Sequence, residues 1–467
     1  MKTRSMAVLI MAGGAFLASS ALLSATAIAQ EAPVPPSPAG ALAPIARQFM
    51  EAMKAEDYQA AAKDFDATML KVSGPDKLAA FWPSFKSQVG ALKSMPDHRY
   101  ERTDPYDIIL LTCEFEKAKL LARVVFDAQG KITGFGFVPY YPPAEYRPPS
   151  YAKPGSFEEF EVTVGSGEWK LPGTLTLPTG AGPFPGLVLV HGSGPNDRNE
   201  AIGPNRPFQD LAWGLASRGI AVLRYEKRTR VYAERYKSDP ALAASLTVRD
   251  ETIDDAIEAA RLLQSEPAVD RRRVFVLGHS LGGMLIPRIA LAAKPLDLAG
   301  FIIMAGLTRP VDETIIQQMT YLLNLGGPSE ESRKKLQEYR ALMDKVKALK
   351  ESDRGSKEMI LGGAPGYWLD MRGYDPPAMA KAVPEPLLIL QGGRDYQVTK
   401  QDFENWEKAL SGRPDVTFKF YPKANHLFFE GQGLITPNEY QYVHGSVALE
   451  VVNDITAWIQ KTIPAGR

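Results

Sequence analysis

Val274-Phe275-Val276-Leu277-Gly278-His279-Ser280-Leu281-Gly282-Gly283 is the stretch that decides how this chain folds. Four apolar residues in a row predict a strand buried on both faces. The apolar run Leu281–Ala293 that follows predicts a helix. Between them stands G-x-S-x-G, and the reason for its glycines is steric. A strand that turns at once into a helix leaves room only for glycine or a very small residue two positions either side of the serine. Ser280 is thereby lifted above the sheet with its hydroxyl exposed. It also stands at the helix N-terminus, where free N–H groups and the helix dipole favour developing negative charge. An ordinary glycine turn with a capping serine would look the same in isolation, so the rest of the chain must arbitrate.

Working outward, strands alternate with helices. Phe157–Val164 and Trp169–Leu177 predict an opening antiparallel pair, and Gly186–Val190 a short buried strand. Phe208–Arg218 then predicts a helix, Ile220–Tyr225 a strand and Val248–Gln264 a longer helix. Leu298–Met304, Leu387–Gln391 and Val416–Tyr421 complete the strands, and Ser446–Gln460 reads as a closing amphipathic helix. Such alternation calls for an α/β fold, a mostly parallel, doubly wound sheet covered by helices on both faces.

A serine hydroxyl attacks a carbonyl only when a base takes its proton. The chain has five histidines. His98 falls outside the α/β region, in a polar loop, and His279 lies inside the elbow, pointing away from Ser280. His191 ends an upstream strand, and His444 reads as a cap or packing residue before the last helix. His426, in Lys423-Ala424-Asn425-His426-Leu427-Phe428, follows the final strand and is the candidate base. The base needs a carboxylate to fix its tautomer. Asp395 follows strand Leu387–Gln391 on Gly392-Gly393-Arg394 and fills that role; Asp375 and Asp402 lack the strand-end position. The order Ser280, Asp395, His426 is Ser…Asp…His. An oxyanion hole is expected from the backbone N–H groups of Ser193 and Leu281. Ser193 lies in His191-Gly192-Ser193-Gly194-Pro195-Asn196-Asp197 at the end of strand Gly186–Val190. No metal or organic cofactor is implied by this chemistry.

More than eighty residues separate strands Leu298–Met304 and Leu387–Gln391, far more than an ordinary connection. Val311–Leu325 and Glu330–Lys350 read as helices, so the insertion, about 307–384, is expected to form a cap over the strand ends. Within it Tyr367, Trp368 and Met371 are candidate acyl-pocket residues, or simply packing beneath a loop. The basic and aromatic run Arg224–Arg230 reads as a solvated loop, with steering of anionic substrates as the alternative.

The N-terminal part has a different rhythm. Leu42, Ile45, Ala46, Phe49, Met50 and Met53 mark one helix face, and Tyr58, Ala62 and Phe65 a second. Leu78, Phe81, Trp82, Phe85, Val89 and Leu92 mark a third. Strands are then expected at Tyr106–Cys113, Lys117–Phe126 and Lys131–Val138, which makes residues 41–141 a small α+β unit. The Pro/Tyr-rich stretch 142–154 reads as the linker to a catalytic domain over 155–467. Residues 1–29 read as an export signal. Lys2 and Arg4 precede an apolar run, and Ala27-Ile28-Ala29 offers a signal-peptidase site before Gln30. The expected destination is periplasmic or secreted, with no stable membrane insertion after cleavage. No later stretch reaches the ~20 apolar residues that span a bilayer.

Of the 467 residues, 45% are hydrophobic and 23% charged, so a disordered chain is excluded. The 54 basic and 54 acidic residues cancel, and without a basic stripe no nucleic-acid partner is expected. One cysteine, Cys113, rules out an intramolecular disulfide. The composition specifies no oligomeric state.

Residues 155–467 resemble an α/β-hydrolase, and the N-terminal pattern resembles the cone-shaped NTF2-like modules. His191–Arg198, Arg224–Thr229, Gln391–Val398 and Asn425–Phe428 resemble the EstD-like carboxylesterases of bacteria. That resemblance implies a small-molecule carboxylic ester as substrate, short acyl chains, and a Ser280, Asp395, His426 triad working through an acyl-enzyme. A peptidase or amidase of the prolyl-oligopeptidase type, or an acyltransferase or thioesterase, would use the same residues. The neighbours His279 and Leu281 depart from the aromatic pair that more often flanks the serine in those peptidases.

Overall fold

The structure, a computed structural model, describes residues 38–103, 106–325 and 327–462. The expected export signal and its cleavage site lie outside the described residues. The chain divides into two compact units: one ends at Pro143 and takes in Gly326–Glu331, and the other comprises the remainder.

In the first unit, helices Pro38–Lys54 and Pro75–Val89 accompany an antiparallel sheet. Its strands are β1 (Leu92–Ser94), β2 (His98–Thr103), β3 (Tyr106–Phe115), β4 (Lys119–Phe126) and β5 (Ile132–Pro139). The order is β1-β3-β4-β5, with β2 also paired to β3. The helical faces expected from sequence supply the core: Phe49, Trp82 and Phe85 are buried with Phe135 and Phe137. Phe85 stacks on Phe137 at 4.3 Å. His98 opens β2 and does not lie in a loop. Cys113 is fully buried, and burial pushes its thiol up to about 12, so it is inert as a nucleophile at neutral pH.

The second unit holds β6 (Phe157–Val164), β7 (Leu171–Pro178), β8 (Phe184–Val190), β9 (Ala221–Tyr225), β10 (Val269–His279), β11 (Gly300–Met304), β12 (Leu387–Gly392) and β13 (Val416–Tyr421). They form one sheet in the order β13-β12-β11-β10-β8-β9-β7-β6. Pairing is antiparallel at β6–β7 and β7–β9 and parallel elsewhere. Helices Pro207–Ala216, Asp254–Ser265, Leu281–Ala292, Lys400–Leu410 and Leu449–Lys461 bury their apolar residues in the core with the sheet. Strand order reverses between β8 and β10, where Val190 pairs with Gly278. Crevices outside the strand ends at such a switch point are where open α/β sheets bind ligands.

Two boundaries differ from the sequence reading. Residues 146–151 are docked on this unit: the Tyr151 hydroxyl donates to the Val447 carbonyl at 2.7 Å, and the Tyr146 hydroxyl to Asp210 at 3.0 Å. His444 takes the packing role of the two expected for it: its ring meets that of Tyr146 edge-on, and its Nε2 accepts the Arg147 backbone amide at 3.1 Å. The expected cap is also shorter. Met371, Ala380 and Val383 join the main core, and the Tyr374 hydroxyl donates to the Met284 carbonyl at 2.7 Å. Above that point Met343, Val346, Ile360 and Trp368 form a small core of the insertion's own.

Candidate active site

Ser280 has φ 54° and ψ −114°, a conformation that costs a non-glycine residue on the order of 1–3 kcal/mol and persists only where its surroundings impose it. The imposition is visible. A Cβ at Gly278 would lie 2.3 Å from the Gly282 backbone, and one at Gly282 would lie 2.5 Å from the Val190 carbonyl oxygen. Both glycines expected from the sharp turn are therefore required. The Ser280 amide is tied to the Met304 carbonyl of the neighbouring strand at 2.9 Å.

Asp395 and His426 meet as expected. His426 Nδ1 lies 2.6 Å from Asp395 Oδ2, and both side chains are buried. Asp395 Oδ1 accepts the Gln397 and Val398 amides at 2.7 and 3.0 Å, which orients the carboxylate. The histidine loop is held by Asn425, whose Oδ1 accepts the Leu427 and Phe429 amides at 3.0 Å each. Asn425 Nδ2 donates to Glu439, which Arg394 also grips at 2.9 Å. With Nδ1 occupied, Nε2 is the nitrogen left for the nucleophile. Ser280 Oγ and His426 Nε2 make no hydrogen bond to each other in this structure; catalytic contacts of this kind commonly tighten with substrate bound.

The loop that follows strand β8 borders Ser280. A Cβ on Gly192 would sit 3.1 Å from Ser280 Cβ. Among the described residues, neither the Ser193 nor the Leu281 amide donates a hydrogen bond within the chain. Both N–H groups are thus left without an acceptor inside the chain. Asp375 and Asp402 are occupied elsewhere: Asp375 caps the helix Pro376–Ala380, and Asp402 binds Arg309 at 2.7 Å.

The three candidate pocket residues are committed to the protein's own contacts. The Tyr367 hydroxyl donates to Glu251 at 2.9 Å, Trp368 Nε1 donates to the Ile360 carbonyl at 3.0 Å, and Met371 is buried in the main core. Aromatic composition announced burial here but not which core would receive it.

A second carboxylate–histidine pair was not foreseen. Glu200 Oε2 lies 2.7 Å from His279 Nδ1, while His279 Nε2 bonds the His426 carbonyl oxygen at 2.9 Å. Glu200 Oε1 also accepts the Gly192 amide at 2.6 Å. One buried pair thereby ties together the Gly192 loop, the elbow and the His426 loop. A carboxylate and a carbonyl both accept, so His279 donates from both nitrogens and is an imidazolium. Burial opposes that charge, but Glu200 and the His426 carbonyl outweigh it and hold the His279 pKa above its usual value. Burial likewise opposes the Glu200 charge, and His279 outweighs it, holding the carboxyl below its usual range. His191 behaves oppositely. Burial between Phe208 and Tyr225 pushes it down to about 4, so it is neutral.

The sign of the resulting pH dependence follows. The His279 contribution is complete below the ordinary imidazole value of 6.5 and is lost as pH rises through the raised one. The Glu200 contribution is complete above the ordinary 4.5 and is lost as pH falls through the lowered one. Thermal melts of the wild type and of a Glu200→Gln/His279→Gln double variant should therefore differ most between those values. The gap should shrink on either side, and a gap independent of pH contradicts the imidazolium assignment.

The run Arg224–Arg230 corrects the sequence reading most sharply. Arg224, Lys227 and Arg228 are buried, not solvated. Arg224 pairs with Glu159, and Arg228 meets both oxygens of Asp255 at 2.5 and 3.1 Å. Lys227 reaches the Gly192 carbonyl at 2.7 Å. The available signal was position, since Arg224 lies within a buried strand and Lys227 and Arg228 come just after its end.

Comparison with known proteins identifies the family. Residues 187–433, more than half of the chain, match the family described as "Alpha/beta hydrolase family". The chain belongs to that family. Residues 46–135 match a protein family of unknown function, DUF3887. Esterase EstD of Thermotoga maritima is 38% identical over 413 residues, spanning 88% of this chain and 94% of its own. Among solved structures, a Pyrococcus furiosus esterase superposes with TM-score 0.41 at 17% identity, over 69% of this chain and 97% of its own. A Pyrococcus horikoshii acylaminoacyl peptidase gives 0.42 at 15%, over 81% and 52%.

Proposed function

We propose that this α/β-hydrolase cleaves carboxylic esters of short acyl chain through an acyl-enzyme on Ser280. The observation that carries the reading is the Asp395–His426 pair, with Nδ1 bound at 2.6 Å and Nε2 left for the serine. The likeness to an esterase over most of both chains points the same way. Ser280 Oγ attacks the ester carbonyl while His426 Nε2 takes its proton. The carbonyl oxygen becomes an oxyanion facing the Ser193 and Leu281 N–H groups, whose orientation is set before reaction. Collapse breaks the bond to the alcohol, which leaves with the proton from His426. Water then attacks the acyl carbon as His426 takes its proton, and return of that proton to Ser280 frees the acid. Asp395 stabilises the imidazolium in both stages.

A series of nitrophenyl esters of increasing acyl length, run beside peptide nitroanilides, tests the substrate class. Highest kcat/KM at acetyl to butyryl, with peptides far slower, is the expected result. Equal or better cleavage of peptides would reassign the enzyme as a peptidase.

A further inference from the structure

Lys227 is only 2% exposed, although burying an ammonium costs several kcal/mol unless its partners compensate. Two partners account for it. Nζ donates to the Gly192 carbonyl oxygen at 2.7 Å and faces Glu251 Oε1 at 3.4 Å. Glu251 stands on a π-helical turn, Arg249–Ile253, directly before helix Asp254–Ser265. Such turns are uncommon and recur at functional sites. Its Oε1 accepts the Thr229 hydroxyl at 3.0 Å, and its Oε2 accepts the Tyr367 hydroxyl at 2.9 Å. Tyr367 belongs to helix Pro365–Met371 of the insertion.

The significance lies in which amide Lys227 holds. The Gly192 carbonyl and the Ser193 N–H are two ends of one peptide group, and that bond is trans. A trans peptide is planar, with C=O and N–H pointing in opposite directions. Anchoring the oxygen on Lys227 therefore aims the Ser193 N–H away from the cation. A positive charge at the oxygen also polarises the amide, which makes the N–H a stronger donor. Asn196 Nδ2 supports the same oxygen at 3.2 Å, and the preceding amide of Gly192 is held by Glu200 at 2.6 Å.

We propose that Lys227 is a positioning residue for the oxyanion hole, with Glu251 and the Tyr367 hydroxyl of the insertion holding its ammonium against the Gly192–Ser193 peptide. The inference rests on the triad reading above and adds to it a second support behind the Ser193 amide. It also gives the insertion a part in catalysis other than lining a pocket. Charge on the substrate oxygen develops only in the transition state, so the effect belongs in kcat and not in KM.

The test compares Lys227→Met, the charge-balanced double variant Lys227→Met/Glu251→Gln, Lys227→Arg and Tyr367→Phe. Each is checked for folding by thermal melt and assayed with a short-chain nitrophenyl ester. The same set is titrated with an alkylboronic acid, which forms a tetrahedral anionic adduct on an active serine. Loss of a whole oxyanion donor costs about 10²–10³ in kcat, so loss of its support should cost roughly 10–10². The folded methionine variants should show that fall in kcat with KM nearly unchanged and boronate affinity weakened in parallel. Arginine should restore part of it, and Tyr367→Phe, which removes one hydroxyl, should show the same signature more weakly. Should neither methionine variant fold, Tyr367→Phe and Lys227→Arg carry the test. Wild-type kcat and boronate affinity throughout the folded set overturn the proposal, as does a change confined to KM. A wild-type enzyme that neither hydrolyses the ester nor binds the boronate overturns the triad reading instead.

Discussion

Replacing Ser280 by alanine is expected to lower kcat on a short-chain ester about a million-fold while leaving the protein folded. Both halves of that expectation come from the elbow. The unusual backbone at Ser280 is imposed by the close approach of Gly278, Gly282 and Val190, not by the hydroxyl. Oγ makes no hydrogen bond in this structure, so its removal leaves no buried partner stranded, and stability should move by no more than about 0.5 kcal/mol. The activity that remains should reflect the amides and binding alone. Measuring kcat beside a thermal melt separates the two halves, since a loss of rate that tracks a loss of fold would say nothing about Ser280 as nucleophile.

Asp395→Asn should lower kcat about 10⁴-fold, for a reason specific to this site. Oδ1 accepts two backbone amides, from Gln397 and Val398. An asparagine must therefore keep its carbonyl oxygen at that position and turn its amide nitrogen toward His426 Nδ1. The amide donates, so Nδ1 must accept, and the ring proton moves to Nε2. The nitrogen facing Ser280 then holds a proton and cannot take another. KM should change little, because substrate does not meet Asp395. Since the neutral ring is held in the wrong tautomer, raising the pH should not restore the rate. Wild-type kcat in Asp395→Asn would mean that another carboxylate serves His426.

Much of this was legible in the chain because its causes are local. The elbow is readable since the steric demand at Gly278 and Gly282 falls within a few residues of Ser280. Asp395 and His426 are readable because each stands in the loop that follows a strand, three and five residues past its end. What escaped reading depends on contacts between distant segments. Glu200 and His279 are 79 residues apart, and Lys227 and Gly192 are 35 apart. No local pattern distinguishes a charged residue that will be solvated from one that will find a partner across the sheet. Arg224–Arg230 was misread for that reason. Strand β2, with the sequence His-Arg-Tyr-Glu-Arg-Thr, resembles a loop by composition and exists because β3 supplies its hydrogen bonds. The sequence leaves Trp368 and Met371 open between an acyl pocket and packing, because the core that receives each one, the insertion's own for Trp368 and the main one for Met371, is built from distant segments.

The central claim is that Ser280 carries the acyl group between two half-reactions. Rapid quenching during turnover of a nitrophenyl acetate, followed by mass spectrometry of the digested protein, tests it directly. An initial release of one nitrophenol per enzyme, with an acetyl mass added to the peptide containing Ser280 and lost on further incubation, is the predicted result. Continued turnover with no burst and with that peptide unmodified throughout would contradict it.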